Sequence, residues 1–239
     1  MESPTSSEFS INTPTAIIIA GVIIAGAVLL SNGAKTNQTV ATAPVQQPQV
    51  LAVDISTVKL DNEPFIGNAN APVTMAYWYD YQCPFCQRHE EQTMPQILKE
   101  YVDTGKLKIV YKDFQFLGPD SQMLGQYSRA VWEVAPGKFY QWHKAVYDNQ
   151  GTENTGWATK EKILSITTSV LGTSDTAKVS QLVATKGAEY QKEMDADKTE
   201  GAAMGITGTP GTIVGKQLIQ GAQPYEVFKS AIDAALTGI

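Results

Sequence analysis

The chain has 239 residues and only two cysteines, which stand together as Cys83-Pro84-Phe85-Cys86. No disulfide elsewhere can staple the fold, so a hydrophobic core must hold it. With 43% apolar and 18% charged residues the composition supports one. The length suits one domain of moderate size with some elaboration. The cysteine pair is either a dithiol/disulfide redox centre or half of a metal site. The net charge is −6 and no Lys/Arg run occurs, which argues against a nucleic-acid partner.

The N-terminus carries a separate signal. Residues 16–30 form an uncharged apolar run which, with its flanks, reaches the roughly 17–25 residues that span a bilayer. No basic residue precedes it, so it lacks the n-region of a secretory signal. It reads as an uncleaved signal anchor over 1–31, with a cleaved signal as the alternative. Residues 32–50 are rich in Thr, Ala, Gln and Pro and read as a flexible linker. The nearest basic residue, Lys35, lies after the run, and taken alone it favours a cytoplasmic domain. A lone C-x-x-C without stray cysteines suits an oxidising compartment, and we give that more weight.

Residues 51–239 carry the folded part. Residues 54–66 read as an opening strand region. Val73 to Asp80 is β-branched and aromatic, with apolar residues on both faces, as a central parallel strand requires. It runs into Cys83-Pro84-Phe85-Cys86, where Pro84 suits a first helical turn. A helix is expected from Phe85 to Val102, kinked at Pro95 because proline lacks a donor and crowds the carbonyl of Glu91. Residues 107–116 read as the next strand, which completes a βαβ unit. Helices are expected over 120–134, 138–147, 159–171 and 175–203, with Asp120 and Thr159 as caps. A hairpin over 212–219, turning at Gly215-Lys216, and a last amphipathic helix after Pro224 close the chain.

Disulfide exchange needs one thiolate near neutral pH and a second thiol to resolve the mixed disulfide. A C-x-x-C that opens a helix supplies both. Its first sulfur faces unpaired N–H groups and the positive end of the helix dipole. On this reasoning Cys83 attacks and Cys86 resolves. The competing reading is zinc held by Cys83, Cys86, His89 and His143. Zinc ligands more often come as two paired clusters, and these histidines are far apart in sequence. His89 reads as a solvated helix position that tunes the site, and His143 as a packed or surface residue. Thr209-Pro210, between a helix and a strand, is the second marked position, because X-Pro bonds are the common cis peptides.

These residues carry a family resemblance. Tyr79 to Cys86, preceded by Asn70-Ala71-Pro72-Val73-Thr74, is similar to the active-site segment of DsbA-type thiol:disulfide oxidoreductases of the thioredoxin superfamily. Met204 to Pro210 resembles the segment that leads to that family's cis-proline. The resemblance implies an α/β thioredoxin-like fold with an inserted helical domain over about 118–203, preceded here by the transmembrane anchor. It also implies a cis Thr209-Pro210 bond facing the cysteines, with Thr209 and Pro210 binding substrate. Two departures stand out. The acidic residue that many relatives carry six positions before the first cysteine is Tyr77 here. Asp80 is the nearest acid and is read either as its partial substitute or as a strand-end turn residue. Phe85 replaces the histidine common between the cysteines, so Pro84 and Phe85 should tune the thiol less strongly.

The expected function is that of an extracytoplasmic thiol:disulfide oxidoreductase that introduces disulfides into secreted proteins. Its expected partners are cysteine-containing protein substrates, a membrane thiol oxidase as re-oxidant, and the bilayer through the N-terminal helix. No cofactor or metal is implied. The alternatives are a reductase or isomerase on the same fold, or a metal-binding or chaperone module.

Overall fold

The computed structural model describes residues 53–238. The expected anchor (1–31) and linker (32–50) lie outside the described residues. Among the described residues no helix is long and apolar enough to cross a membrane.

The centre of the molecule is strand β2 (Val73–Tyr79), buried along nearly its whole length. Its two-residue period divides the core. Val73, Met75, Tyr77 and Tyr79 face the larger apolar cluster, while Ala76 and Trp78 face a smaller one with Val58, Ile206 and Ile213. Strand β3 (Leu107–Asp113) pairs with β2 in parallel, from Val73 opposite Leu107 to Tyr79 opposite Asp113. On the other side β4 (Gly211–Val214) pairs antiparallel, with Met75 opposite Val214. Strand β5 (Gln217–Gln220) completes the hairpin through Gly215, whose φ of 56° lies in the left-handed region. With β1 (Phe65–Ile66) antiparallel on β3, the sheet order is β1-β3-β2-β4-β5.

The opening strand is much shorter than the sequence suggested. Asp54 caps a short turn by accepting from Ser56 N–H at 2.9 Å, and Asn62 takes a positive φ just before the strand. Only Phe65 and Ile66 remain to pair.

Helix α1 (Pro84–Gln92) starts directly after Cys83. It stops at Thr93, and a short α2 (Met94–Ile97) and a wider turn (Leu98–Val102) follow. The break falls where Pro95 removes the N–H that would bond to Glu91, so two helical pieces replace one kinked helix.

Four helices lie between β3 and β4: α3 (Pro119–Val134), α4 (Phe139–Asp148), α5 (Lys160–Leu171) and α6 (Thr173–Ala203). Thr159 caps α5 by accepting from Lys162 N–H. Asp120 does not cap α3. Gly118 holds that position and Asp120 falls in the first turn. Helix α6 docks on the sheet at Gly201, where an added Cβ would lie 2.7 Å from the Trp78 indole nitrogen. That nitrogen donates to Asp197 O at 3.0 Å. Helix α7 (Tyr225–Thr237) packs Tyr225, Phe228, Ala231 and Ile232 into the core.

A buried ion cluster joins α3 and α6 to β3. Lys112 Nζ meets Asp197 at 2.5 Å, Glu63 at 3.1 Å and Glu200 at 3.2 Å. The Arg129 guanidinium meets Asp197 at 2.6 Å, Asp113 at 2.7 Å, Glu193 at 3.0 Å and Glu63 at 3.1 Å. Both cations are buried, so these carboxylates replace the hydration they have lost.

Candidate active site

The turn from β2 into α1 is held from several sides. Asp80 is fully buried, and its carboxylate accepts from Gln82 N–H at 2.8 Å, Phe116 N–H at 2.9 Å, Leu117 N–H at 3.0 Å and Ser121 O–H at 2.6 Å. Burial raises its pKa, opposed by those donors. Every one of these bonds goes to the loop 116–117, to Ser121 in the first turn of α3 or to Gln82, and none to a sulfur. Asp80 is thus a turn anchor. The Tyr147 hydroxyl donates to Asp80 O at 3.1 Å, and Gln150 Nε2 donates to Tyr81 O at 2.7 Å and to Cys83 O at 3.2 Å. The helices between β3 and β4 therefore grip the main chain that presents the cysteine.

Cys83 caps α1 in extended geometry, and Pro84 takes the first helical turn. Both cysteines are free thiols, but their settings differ. Cys83 is 4% exposed, with Sγ 3.3 Å from Thr209 O. Its pKa falls to about 6, chiefly because the Cys86 thiol donates to it. Burial opposes this, and Thr209 and the Cys86 and Phe85 N–H groups help it. These N–H groups belong to the first turn of the helix and point at the sulfur. Cys86 is fully buried, and burial pushes its pKa well above the ordinary thiol value. The Thr209-Pro210 peptide is cis, as the resemblance implied, and brings the Thr209 carbonyl to the first sulfur. Phe85 projects outward at 53% exposure, with the Arg88 guanidinium 5.0 Å from its ring centre.

His89 is not where the sequence placed it. It is fully buried, its ring 5.2 Å from Tyr77 and 4.8 Å from Phe228, and neither nitrogen has a hydrogen-bond partner among the described residues. Burial lowers its pKa to about 4, so it is neutral at physiological pH. Helix α1 turns Cys86, His89 and Glu90 inward together.

The buried Glu90 escaped the sequence reading. Its Oε1 lies 3.2 Å from His143 Nε2, and its Oε2 accepts from Tyr140 O–H at 3.2 Å. His143 Nδ1 is 2.9 Å from the Tyr81 hydroxyl, which in turn is 2.9 Å from Ser128 Oγ. The four residues weighed as zinc ligands do not converge. Among the described residues no three His, Cys, Asp or Glu side chains form a group able to hold a metal. The signal for Glu90 was present in the spacing, since 86, 89 and 90 share a face at i, i+3 and i+4.

The family described as Thioredoxin matches residues 59–234. Disulfide bond formation protein D of Bacillus subtilis is 26% identical over 180 residues, covering 75% of this chain and 79% of that protein. A probable disulfide bond formation protein D of Bacillus cereus is 26% identical over 172 residues, covering 72% of this chain and 77% of that protein. The crystal structure of oxidised BdbD from Bacillus subtilis superposes with a TM-score of 0.70 at 23% identity, covering 79% of this chain and 99% of that one. Alpha-DsbA1 of Wolbachia pipientis gives 0.65 at 18% identity, covering 77% and 95%. The structural likenesses establish the fold.

Proposed function

This chain belongs to the thioredoxin family and is a thiol:disulfide oxidoreductase, and on that premise we propose that it introduces disulfides into secreted proteins outside the cytoplasm. The asymmetry of its two sulfurs carries the reading. In the oxidised enzyme a substrate thiolate attacks Cys83, the less buried sulfur. A new S–S bond forms, the Cys83–Cys86 bond breaks, and its electron pair leaves on Cys86, which takes up a proton. A second substrate thiolate then attacks the substrate sulfur of the mixed disulfide and releases Cys83 as thiolate. The substrate has lost two electrons and the enzyme has gained them. A thiol of pKa about 6 is the better leaving group of the pair, so the second step favours substrate oxidation.

Thr209 and Pro210 form the substrate-binding edge. The Thr209 main chain pairs with an extended peptide in the manner of strand addition. Pro84 and Phe85 tune the helix start. A membrane thiol oxidase restores the disulfide. Residues 1–31 anchor the protein and 32–50 let the domain 51–239 work close to the bilayer. Protease added to intact cells or spheroplasts tests the location and should digest the domain, whereas full protection behind an intact inner membrane would place it inside.

The roles of the two cysteines are tested by trapping. Cys86→Ser should accumulate mixed disulfides with substrates on non-reducing gels, because Cys83 still reacts and nothing resolves the product. Cys83→Ser should accumulate few. The reverse pattern would refute the assignment.

A further inference from the structure

The stretch from Asp80 to Cys83 joins β2 to α1 without regular structure of its own, so its main-chain carbonyls must find donors elsewhere. Asp80 O takes two, from Cys83 N–H at 3.1 Å and from the Tyr147 hydroxyl at 3.1 Å. Cys83 O accepts from Cys86 N–H at 3.1 Å and Gln87 N–H at 3.2 Å as the helix begins. Tyr81 O has one donor among the described residues, and it comes from far along the chain: Gln150 Nε2 at 2.7 Å. The same nitrogen reaches Cys83 O at 3.2 Å. Both acceptors are carbonyls, so only the amide nitrogen can face them, and its two N–H groups are both used there.

Gln150 is itself held. It follows α4, and its own N–H donates to Tyr147 O at 3.1 Å. Gln87 Nε2, in the first turn of α1, donates to the same Tyr147 O at 2.9 Å, so the end of α4 and the start of α1 bond to each other in both directions. Lys162 Nζ of α5 donates to Asn149 Oδ1 at 2.9 Å. Gly151 packs so closely on Trp157 that an added Cβ would lie 2.6 Å from the Trp157 Cβ. Asn154 N–H closes the segment onto Gln82 Oε1 at 3.0 Å. A donor on so fixed a base holds its acceptors in one place.

We propose that Gln150 is a positioning residue for the nucleophile: by bridging the carbonyls on either side of Gln82 it fixes the main chain of Cys83 in the extended geometry from which Sγ faces the start of α1 and Thr209 O. Gln150 bonds to neither sulfur. Cys83 stands at φ −72° and ψ 117°, and this geometry decides where Sγ points. In it Sγ lies 3.3 Å from Thr209 O and beside the first-turn N–H groups that favour its ionised form. Without the bridge, Tyr81 O is left unsatisfied in a partly buried place, and the peptides on both sides of Gln82 are free to turn toward another donor. The sulfur then loses part of its surround and ionises less readily. The helical insertion thus reaches the chemistry through one side chain.

The inference rests on the exchange reading above, and its test keeps the two apart. Full-length wild type, Gln150→Leu and Gln150→Lys are titrated in reduced form by thiolate absorbance and equilibrated with glutathione buffers. Leucine removes both donors at similar size. It should make Cys83 ionise about tenfold less readily, a rise of about one unit from a value of about 6. The equilibrium constant for reduction by glutathione should then fall roughly five- to tenfold between pH 7 and 8. Lysine keeps donors at a similar reach and adds a positive charge, so Gln150→Lys should ionise at least as readily as wild type. A role in packing alone predicts another pattern, in which both variants melt lower and neither moves the Cys83 titration. An ionisation in Gln150→Leu within about twofold of wild type, or one that weakens in Gln150→Lys as well, would overturn the role of Gln150. Should Gln150→Leu fail to fold, the lysine variant decides alone: weaker ionisation contradicts the role, and equal or stronger ionisation upholds it. A wild type that does not exchange with glutathione sinks the exchange reading instead, and the titrations still judge Gln150.

Discussion

Two buried polar regions lie on opposite faces of the same strand, and they are built by opposite rules. Tyr111 and Lys112 are neighbours on β3 and project to opposite sides. On the Lys112 side, two cations are enclosed by five carboxylates within hydrogen-bonding distance. On the Tyr111 side, beneath α1, the hydroxyls of Tyr77 and Tyr111 and both nitrogens of His89 have no partner among the described residues. The first region fixes geometry, since it ties α3 and α6 to the sheet. The second lies against Cys86, where charge appears during turnover. Charges are paired on the first side, whereas the second leaves neutral groups without partners beside the Glu90–His143 pair.

The comparison makes predictions of unequal size. The largest concerns the ion cluster. Arg129→Met leaves Glu63 and Asp197 with only Lys112 and leaves Asp113 with no cation, and removing one partner of a buried ion pair costs about 3–5 kcal/mol. Urea denaturation should show that loss, while the Cys83 pKa should stay near 6 because none of its causes lies in the cluster. A loss below about 1 kcal/mol, or a displaced Cys83 pKa, would break the division between the regions. The smallest effect belongs to the exposed rim. Phe85→His adds a donor beside Cys83 and should raise the redox potential, by roughly 30 mV for each 1.4 kcal/mol of added stabilisation of the reduced form. Equilibration against glutathione buffers measures it, and an unchanged or lower potential would show that the dipeptide does not set the redox strength.

The parts of this molecule legible in the sequence are those built from local pattern. The apolar run of β2, the cysteines that open α1, the helical periodicities up to Ala203 and the hairpin before α7 each announce themselves within a few residues. The cis-proline segment was legible through resemblance. What was not legible depends on pairing across the chain. Arg129 meets Asp197 and Asp113, and Glu90 meets His143, only once α3, α4 and α6 have folded over β2 and β3. His89 was misplaced because a histidine on a short helix reads as solvated. Only the packing of Phe228 from α7 against its ring shows that this face of α1 points inward. The same stripe continues through Met94 and Ile97, so its period could have revealed the burial. For Asp80 the sequence left the turn reading and the acid reading side by side, for a different reason. Three of its four donors come from the loop after β3 and the first turn of α3, which no spacing near the cysteines reveals.

The central claim is that Cys83 is the ionised sulfur of the pair and Cys86 the protonated one, and the ultraviolet absorbance of the thiolate tests it directly. The reduced protein should show one transition near pH 6, absent in Cys83→Ser. The thiol of an unfolded chain titrates near about 8.5. The depressed native value therefore stabilises the reduced fold fully above that pH, and the contribution is lost as pH falls through about 6. A single transition near pH 6, with the reduced protein gaining stability as pH rises from 6 to about 8.5, is the result the account predicts. A reduced protein with no thiolate below about pH 8, or one whose low-pH transition survives in Cys83→Ser, would contradict it.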